Sequence, residues 1–385
     1  MSQEHQKKPG KSSVTGSSHH DHDDHAPGPG KRTLTEALTH HKPGHPDADR
    51  SEGGPSVKVA LFAGKPAKAA SAPVPAKDEA KDDPGADAAP RARAATALSL
   101  DQAIHTYAPV VYMAKGEDHR AANATEYITN SSLKWSHQGK GADQTFDTPG
   151  HIDQWALGHG GYKNRARNAQ GLDTGREIKS NEDVRPKDGR GPGGDEGFYL
   201  DLPKAHHKSQ RSGTDAPVYY EAKNQHYITY WFFYAFNAGP APGGADDHEG
   251  DWERICVKLD ANNRATEVAY FQHDGPPKTY KWPDVPKEGS THPVVYSAKG
   301  SHASYTSPGS KRLHKNGVPI PFVKDHASKG ARWVADPGGP ADHLTDVTQQ
   351  AWYGYGGAWG EPGSITETTG PQGPSGHKKP APDGW

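Results

Sequence analysis

From Tyr227 to Asn237 the chain runs Tyr-Ile-Thr-Tyr-Trp-Phe-Phe-Tyr-Ala-Phe-Asn, with aromatic or aliphatic side chains at almost every position. A strand points successive side chains to opposite faces, so a strand with one wet face shows polar residues at alternate positions. This run does not, which predicts a central strand covered on both sides. Shorter strands are expected at Val110–Met113, Phe198–Leu202, Ala216–Glu221, Thr266–His273 and His292–Ala298, and a strand pair is expected over Thr125–Trp135, turning at Asn130-Ser131. Ser99–Tyr107 reads as a helix with Ser99 as N-cap and Asp101 and Gln102 in its first turn. Frequent turn residues and few helical stretches give the fold class: mainly β, a β-sandwich with long loops and few short helices.

That architecture does not extend over the whole chain. Residues 1–95 hold one aromatic, Phe62, while all nine Trp lie from Trp135 onward. So little apolar surface cannot offset chain entropy, and 1–95 is expected to be a disordered leader and linker. The domain is expected over 97–363 with an insertion at 137–197, and 364–385 as a disordered tail. Inside the leader, Lys31–Leu38 is a helix-compatible island with Thr33 as N-cap and Glu36 at the capping-box position. An isolated helix of that length is marginal in water, so a docking peptide is the expected role. Val57–Phe62 reads as an edge strand or a second docking peptide. The tract His19, His20, His22 and His25 among Asp21, Asp23 and Asp24 is either a solvated tail or a loose metal binder.

The formal net charge is −2, with no Lys/Arg stripe interleaved with aromatics in the folded part, which excludes nucleic acid as the expected partner. Cys256 is the one cysteine, so no disulfide forms within the chain and folding suits a reducing cytosol. No signal peptide and no run near the ~18 apolar residues of a membrane span is present. The expectation is synthesis in the cytoplasm and delivery outside the cell by another route.

The chemistry concentrates in Asp246–Glu253, Asp-Asp-His-Glu-Gly-Asp-Trp-Glu. If Asp251 opens a strand, Asp251 and Glu253 share a face with Ile255, Val257 and Leu259. Two carboxylates entering an apolar layer need a cation or several donors. One reading is a divalent-metal site completed by His248, and the other is a carboxylate pair satisfied by backbone N–H groups and an arginine. Mixed carboxylate and imidazole ligation favours Ca, Mg or Mn over Zn. His273 either lines the same mouth or caps a strand, and Ser301 and His302 either donate to a ligand or anchor a turn. There is no Gly-x-Ser-x-Gly elbow, and no phosphate-binding Gly-Lys-Ser/Thr loop in the folded part, so catalysis has little sequence support.

The order Tyr107–Tyr112, Glu126–Ile128, Phe198–Leu200, Tyr230–Asn237, Glu249–Glu253, Gln272-His273, Pro293–Tyr296 and Gly300–Tyr305 resembles the vacuolar protein sorting-associated protein 62 family over most of 97–363. Asp325-His326 followed by Lys329-Gly330 fits the same pattern. The core is more distantly similar to the necrosis- and ethylene-inducing toxins, whose heptapeptide Gly-His-Arg-His-Asp-Trp-Glu sits in a sandwich mouth and holds a divalent cation used in binding membrane glycolipid. That resemblance implies metal ligands at His248, Asp251 and Glu253 and a ligand-facing Trp252. The upstream acidic ligand falls near Asn237, with Asp247 close by, and Gly250 replaces the second His. Gly30–Leu38 resembles a stretch found in leaders of proteins encoded with phage-tail-like contractile injection systems, which implies docking through Lys31, Arg32, Leu34, Glu36 and Leu38. Together the resemblances imply a toxin-type effector, cargo of such a system, acting at a target membrane glycolipid or glycan. A metal-dependent hydrolase and a lectin-like binding module remain as alternatives.

Overall fold

A computed structural model describes residues 97–385 apart from 140, 163–195, 209–212, 223–225, 274, 316–317, 336–342, 365 and 378–379. The leader, its island with Lys31, Arg32, Leu34, Glu36 and Leu38, and Val57–Phe62 lie outside the described residues. The chain enters through helix α1 (Leu100–Thr106), strand β1 (Val110–Tyr112), helix α2 (Ala124–Asn130), β2 (Ser132–Ser136), β3 (Gln144–Asp147), helix α3 (Gln154–Gly158) and β4 (Gly197–Asp201). The middle is β5 (Val218–Glu221), β6 (Tyr227–Asn237), β7 (His248–Leu259), β8 (Ala265–Tyr270) and β9 (Lys278–Lys281). It continues through β10 (Lys287–Glu288), β11 (His292–Ser297), β12 (Ser304–Tyr305), β13 (Gly309–Lys315), β14 (Val318–Ala327), β15 (Arg332–Val334) and β16 (Leu344–Asp346).

The fold is mainly β with few short helices, arranged in three layers around β6. The six-stranded central sheet has the order β16-β5-β6-β7-β8-β9. On one face of β6, Ile228, Tyr230, Phe232 and Tyr234 pack with Val111 of β1, Val295 of β11 and Trp333 of β15. Those strands belong to a second sheet in which β1 runs parallel to β11 and antiparallel to β15. On the other face, Trp231, Phe233 and Ala235 pack with Leu133 and Trp135 of β2, Phe198 and Leu200 of β4, and the loop residues Trp352 and Trp359. The two-sided apolar pattern of the sequence is thus satisfied by a partner layer on each side.

α1 forms as expected, with Ser99 and Gln102 in a reciprocal capping box. The strand pair expected over Thr125–Trp135 is instead α2 followed by β2. Asn123 Oδ1 accepts from the N–H groups of Thr125 and Glu126 at 2.8 and 3.4 Å, and Ala124, Tyr127 and Ile128 bury one helical face. An end cap plus i, i+3, i+4 burial overrides the strand preference of Thr125, Ile128 and Thr129. The insertion at 137–197, in its described part, supplies β3 and α3, and β3 pairs with β2.

The segment 364–385, expected to be a disordered tail, packs on the central sheet in its described part. Pro380 O accepts from Cys256 Sγ at 2.9 Å and Thr229 Oγ1 at 3.4 Å. Ala381 packs with Cys256, Ala269 and Phe271, and the Trp385 ring lies 5.3 Å from Lys258 Nζ. A Pro- and Gly-rich stretch has no periodicity to read, yet its carbonyls and small side chains cover a sheet face with no more than two single-turn helices of its own. Burial pushes the Cys256 thiol up to about 12. The folded chain is therefore expected to resist a thiol-specific chromogenic reagent, whereas a chain ending at Gly376 reacts under the same native conditions; equal protection in both would show that the tail does not shield Cys256.

Candidate functional site

β6 and β7 pair with Tyr234 opposite Asp251 and Phe232 opposite Glu253. Asp251 and Glu253 therefore leave β7 on the face that carries Ile255, Val257 and Leu259, and both are almost fully buried. Two acids do enter the apolar layer, and the group that meets Asp251 is His302. Its Nδ1 donates to Asp251 Oδ2 at 2.8 Å, and its Nε2 donates to the carbonyl of His119 at 2.8 Å and lies 3.8 Å from Glu117 Oε1. Both ring nitrogens face oxygen acceptors, an arrangement that the imidazolium form, with two N–H donors, satisfies in full. Tyr234 stacks on it with centroids 3.7 Å apart and an interplanar angle of 4°.

The electrostatics follow from this geometry. Burial alone would depress the His302 pKa, but the hydrogen bonds and charges of Asp251 and Glu117 outweigh it and raise it to about 9. Burial would raise Glu117, yet the bond and charge of His302 and the N–H groups of Gly300 and His119, at 2.6 and 2.8 Å, hold it at about 2. Gly300 has φ +77°, and a Cβ there would meet Ala238 O at 1.9 Å, so only glycine brings this N–H to Glu117.

The neighbouring residue of the same turn, Ser301, binds a second buried acid. Asp325 of β14 accepts from Ser301 Oγ at 2.6 Å, Tyr305 OH at 2.6 Å and His273 Nε2 at 2.8 Å. Asp325 is wholly buried, and these donors hold its pKa low against the effect of burial. The His273 side chain is 36% exposed. Its pKa is raised: burial opposes the charge, and Asp325, Asp251 and Asp246 favour it more strongly. His273 and His302 both hold left-handed backbone, at φ +53° and +54°, a conformation that is strained outside glycine and concentrates at functional positions.

Asp246 and Asp247 close the mouth. Burial raises both pKa values, and the charge of Asp247 raises that of Asp246 further, whereas His119 and His248 oppose the rise at Asp247. Asp246 accepts from Ala241 N–H, and Asn237 Nδ2 donates to the Asp246 carbonyl at 2.6 Å. Beside them, Phe236 is stacked by His207 at 4.3 Å and approached by His119 at 5.0 Å.

The expected metal set is not assembled. His248 Nδ1 is turned onto the carbonyl of Gly250 at 2.8 Å, and Gly250 itself has φ +59°, which interrupts the alternation between His248 and Asp251. Asp251 is committed to His302, and Asn237 to a backbone carbonyl. Among the described residues, no group of three or more His, Cys, Asp or Glu side chains is placed as metal ligands. His248, Asp251, Glu253, Asn237 and Asp247 are therefore not gathered around one point in this structure. Trp252, expected to face a ligand, lies on the opposite face of β7, packed against Phe233 at 4.6 Å and Trp359 at 5.2 Å. The alternation that sends Asp251 and Glu253 inward excludes Trp252 from the same mouth. His273, Ser301 and His302 do come together, and Glu117, Asp325 and Tyr305 join them without having been expected as site residues.

A group whose folded pKa is raised stabilises fully below its unfolded value and loses that contribution as pH rises through the folded one. For His302 the loss runs from about 6.5 to about 9, and for Glu117 the reverse loss runs from about 4.5 down to about 2. Unfolding midpoints are expected to peak between these limits, with an alkaline decline that shrinks in His302→Gln and whose remainder includes the raised His273. His302→Ala strands two buried acids and is expected to cost about 3–5 kcal/mol in urea unfolding at pH 6; a cost below about 1 kcal/mol would contradict the buried imidazolium.

The sequence pattern described as vacuolar protein sorting-associated protein 62 matches residues 149–364, which include Asp251, His273, Ser301, His302 and Asp325. The chain is 26% identical over 163 residues to vacuolar protein sorting-associated protein 62 of Saccharomyces cerevisiae, covering 34% of each chain. It is 27% identical over 165 residues to the vacuolar protein sorting-associated protein TDA6 of the same yeast, again covering 34% of each. The chain thus spans about a third of the length of these relatives. Among solved structures, it is similar to NLPPya in complex with glucosamine, at 13% identity and a TM-score of 0.27, over 66% of this chain and 78% of that one. It is also similar to necrosis and ethylene inducing protein 2 from the causal agent of cocoa's witches' broom disease, at 13% identity and 0.25, over 66% and 76%. With more than half of its residues inside the matched pattern, the chain belongs to the vacuolar protein sorting-associated protein 62 family.

Proposed function

We propose that this protein is a toxin-type effector whose folded domain engages a polyhydroxylated ligand, a glycan or glycolipid head group, on a target membrane. The observation that carries this reading is the half-exposed His273, held by the buried Asp325 and facing Asp246 and Asp251. An oriented imidazole beside carboxylates offers a fixed donor and several acceptors, which is what sugar hydroxyls require. A divalent cation, with Ca, Mg or Mn ahead of Zn, enters this reading only at the partly buried carboxylates Asp246 and Asp247, since Asp251 is taken by His302.

The leader is proposed to load the protein as cargo of a phage-tail-like contractile injection system, a reading supported by the Gly30–Leu38 resemblance alone. Synthesis in the cytoplasm and delivery without a signal peptide follow from the same reading. Among the described residues no helix is long and apolar enough to cross a membrane. A second reading, hydrolysis, draws on the His273–Asp325 pair, an arrangement that orients an imidazole for general acid–base work.

Binding to an immobilised glycan panel is expected to fall at least about tenfold in Asp246→Asn and in His273→Gln, the loss of one or two charge-assisted hydrogen bonds. Calorimetry with Ca, Mg, Mn and Zn on the same proteins assigns any cation to Asp246 and Asp247, or removes it. No glycan bound by the wild type, or unchanged binding in both variants, sinks the reading; hydrolysis of a bound glycan would favour the second one. For the leader, deletion of residues 1–95 is expected to abolish particle loading without moving the unfolding midpoint, and normal loading would defeat the cargo assignment.

A further inference from the structure

β13 and β14 form a two-stranded hairpin that belongs to neither outer layer. Its sequence carries Lys311, Arg312, Lys315 and Lys324 against one acid, Asp325. That acid points inward, bonded to Ser301, Tyr305 and His273, so it does not offset the outward charge. Arg312 and Lys324 stand directly opposite each other, both exposed, and neither pairs with an acid among the described residues. Like charges across a strand pair repel and destabilise the pairing, a cost that an anionic partner would remove.

The register breaks next to that pair. Leu313 alone faces the stretch Ile320, Pro321, Phe322 and Val323, because Arg312 pairs with Lys324 and His314 with Pro319. Such a bulge re-aims side chains, and here it pushes Phe322 into solvent. Phe322 is fully exposed and holds φ +65°, and Pro321 beside it is also exposed. A bare aromatic ring on strained backbone gains nothing within the folded chain. The hairpin base, by contrast, is firmly tied: Lys299 N–H donates to His326 O at 2.9 Å, Ala298 bridges to Ala327, and Asp325 is locked in its network. A rigid base with an apolar ring and unpaired cations presented outward matches the chemistry of a bilayer surface, where rings settle at the headgroup boundary and cations at anionic headgroups.

We propose that the β13–β14 hairpin docks the protein on bilayers containing anionic phospholipid, with Phe322 entering the interface and Arg312 and Lys324 meeting the headgroups. This goes beyond the glycan reading and needs no sugar. The test is flotation of the full chain with vesicles of phosphatidylcholine plus phosphatidylserine, against phosphatidylcholine alone, at low and raised salt. Binding is expected only with phosphatidylserine and to weaken with salt. Phe322→Ser is expected to weaken it about tenfold or more, and Arg312→Glu with Lys324→Glu by more than that through charge reversal. All three side chains are exposed, so thermal midpoints of the variants should match the wild type and a folding defect is excluded. The vesicles carry no glycan, so flotation is read independently of the glycan panel, which separates failure of the glycan reading from failure of this one. No phosphatidylserine-dependent flotation, equal flotation of the hairpin variants and wild type, or salt-insensitive binding to phosphatidylcholine alone would overturn the proposal.

Discussion

The site depends on a buried imidazolium. His302 lies at zero exposure between Asp251 and Glu117, with Tyr234 stacked on its face, and each ring nitrogen meets an acceptor. Without that cation, Asp251 would face an apolar layer uncompensated, the most expensive situation for a carboxylate. With it, the turn 300–302 is fixed, because Gly300 N–H holds Glu117 and Ser301 holds Asp325. Three acids from separate parts of the chain are thereby tied to one short turn between β11 and β12. His273, which gives the mouth its exposed imidazole, is positioned through Asp325 and so depends on the same turn.

An internal cation also answers the electrostatic question posed by Asp251 in a way that a divalent ion does not. A protonated histidine supplies one charge and two directed N–H donors, whereas a divalent ion demands several oxygen ligands converging on a point. Asp251 has committed Oδ2 to one of those donors. His248, the imidazole nearest in sequence, is spent on backbone carbonyls around Gly250. The membrane-facing hairpin shares this arrangement at its base, since Asp325 is simultaneously a hairpin residue and the acceptor for His273. The charge pattern of the hairpin is therefore coupled to the site: its sole acid is drawn inward, while Arg312 and Lys324 stay exposed.

The sequence by itself determined what depends on spacing along the chain. The double-faced apolar run 227–237 specified a central strand, the Ser99 and Gln102 pair specified a helix start, and the parity of Asp251 and Glu253 with Ile255 specified two inward acids. Each is a statement about neighbours within a few residues, where strand and helix periods govern. Parity applied consistently would also have removed Trp252 from the mouth. The strand pair expected over Thr125–Trp135 gives way to α2 and β2 because the Asn123 cap and the helical spacing of Ala124, Tyr127 and Ile128 outweigh the β-branched composition.

Only the tertiary structure decided what compensates the acids and what covers the sheet. His302 is 51 residues from Asp251, and Gly300 is 183 from Glu117, separations over which no local pattern survives. The C-terminal segment that shelters Cys256 has no periodicity at all, and its contact with β6 and β7 is made through a proline carbonyl. The inward turn of Asp325 and the outward bulge at Phe322 likewise require a register that composition does not encode. Local periods choose which face a side chain takes, whereas the partner it meets there is set by loop closure and packing across the whole domain.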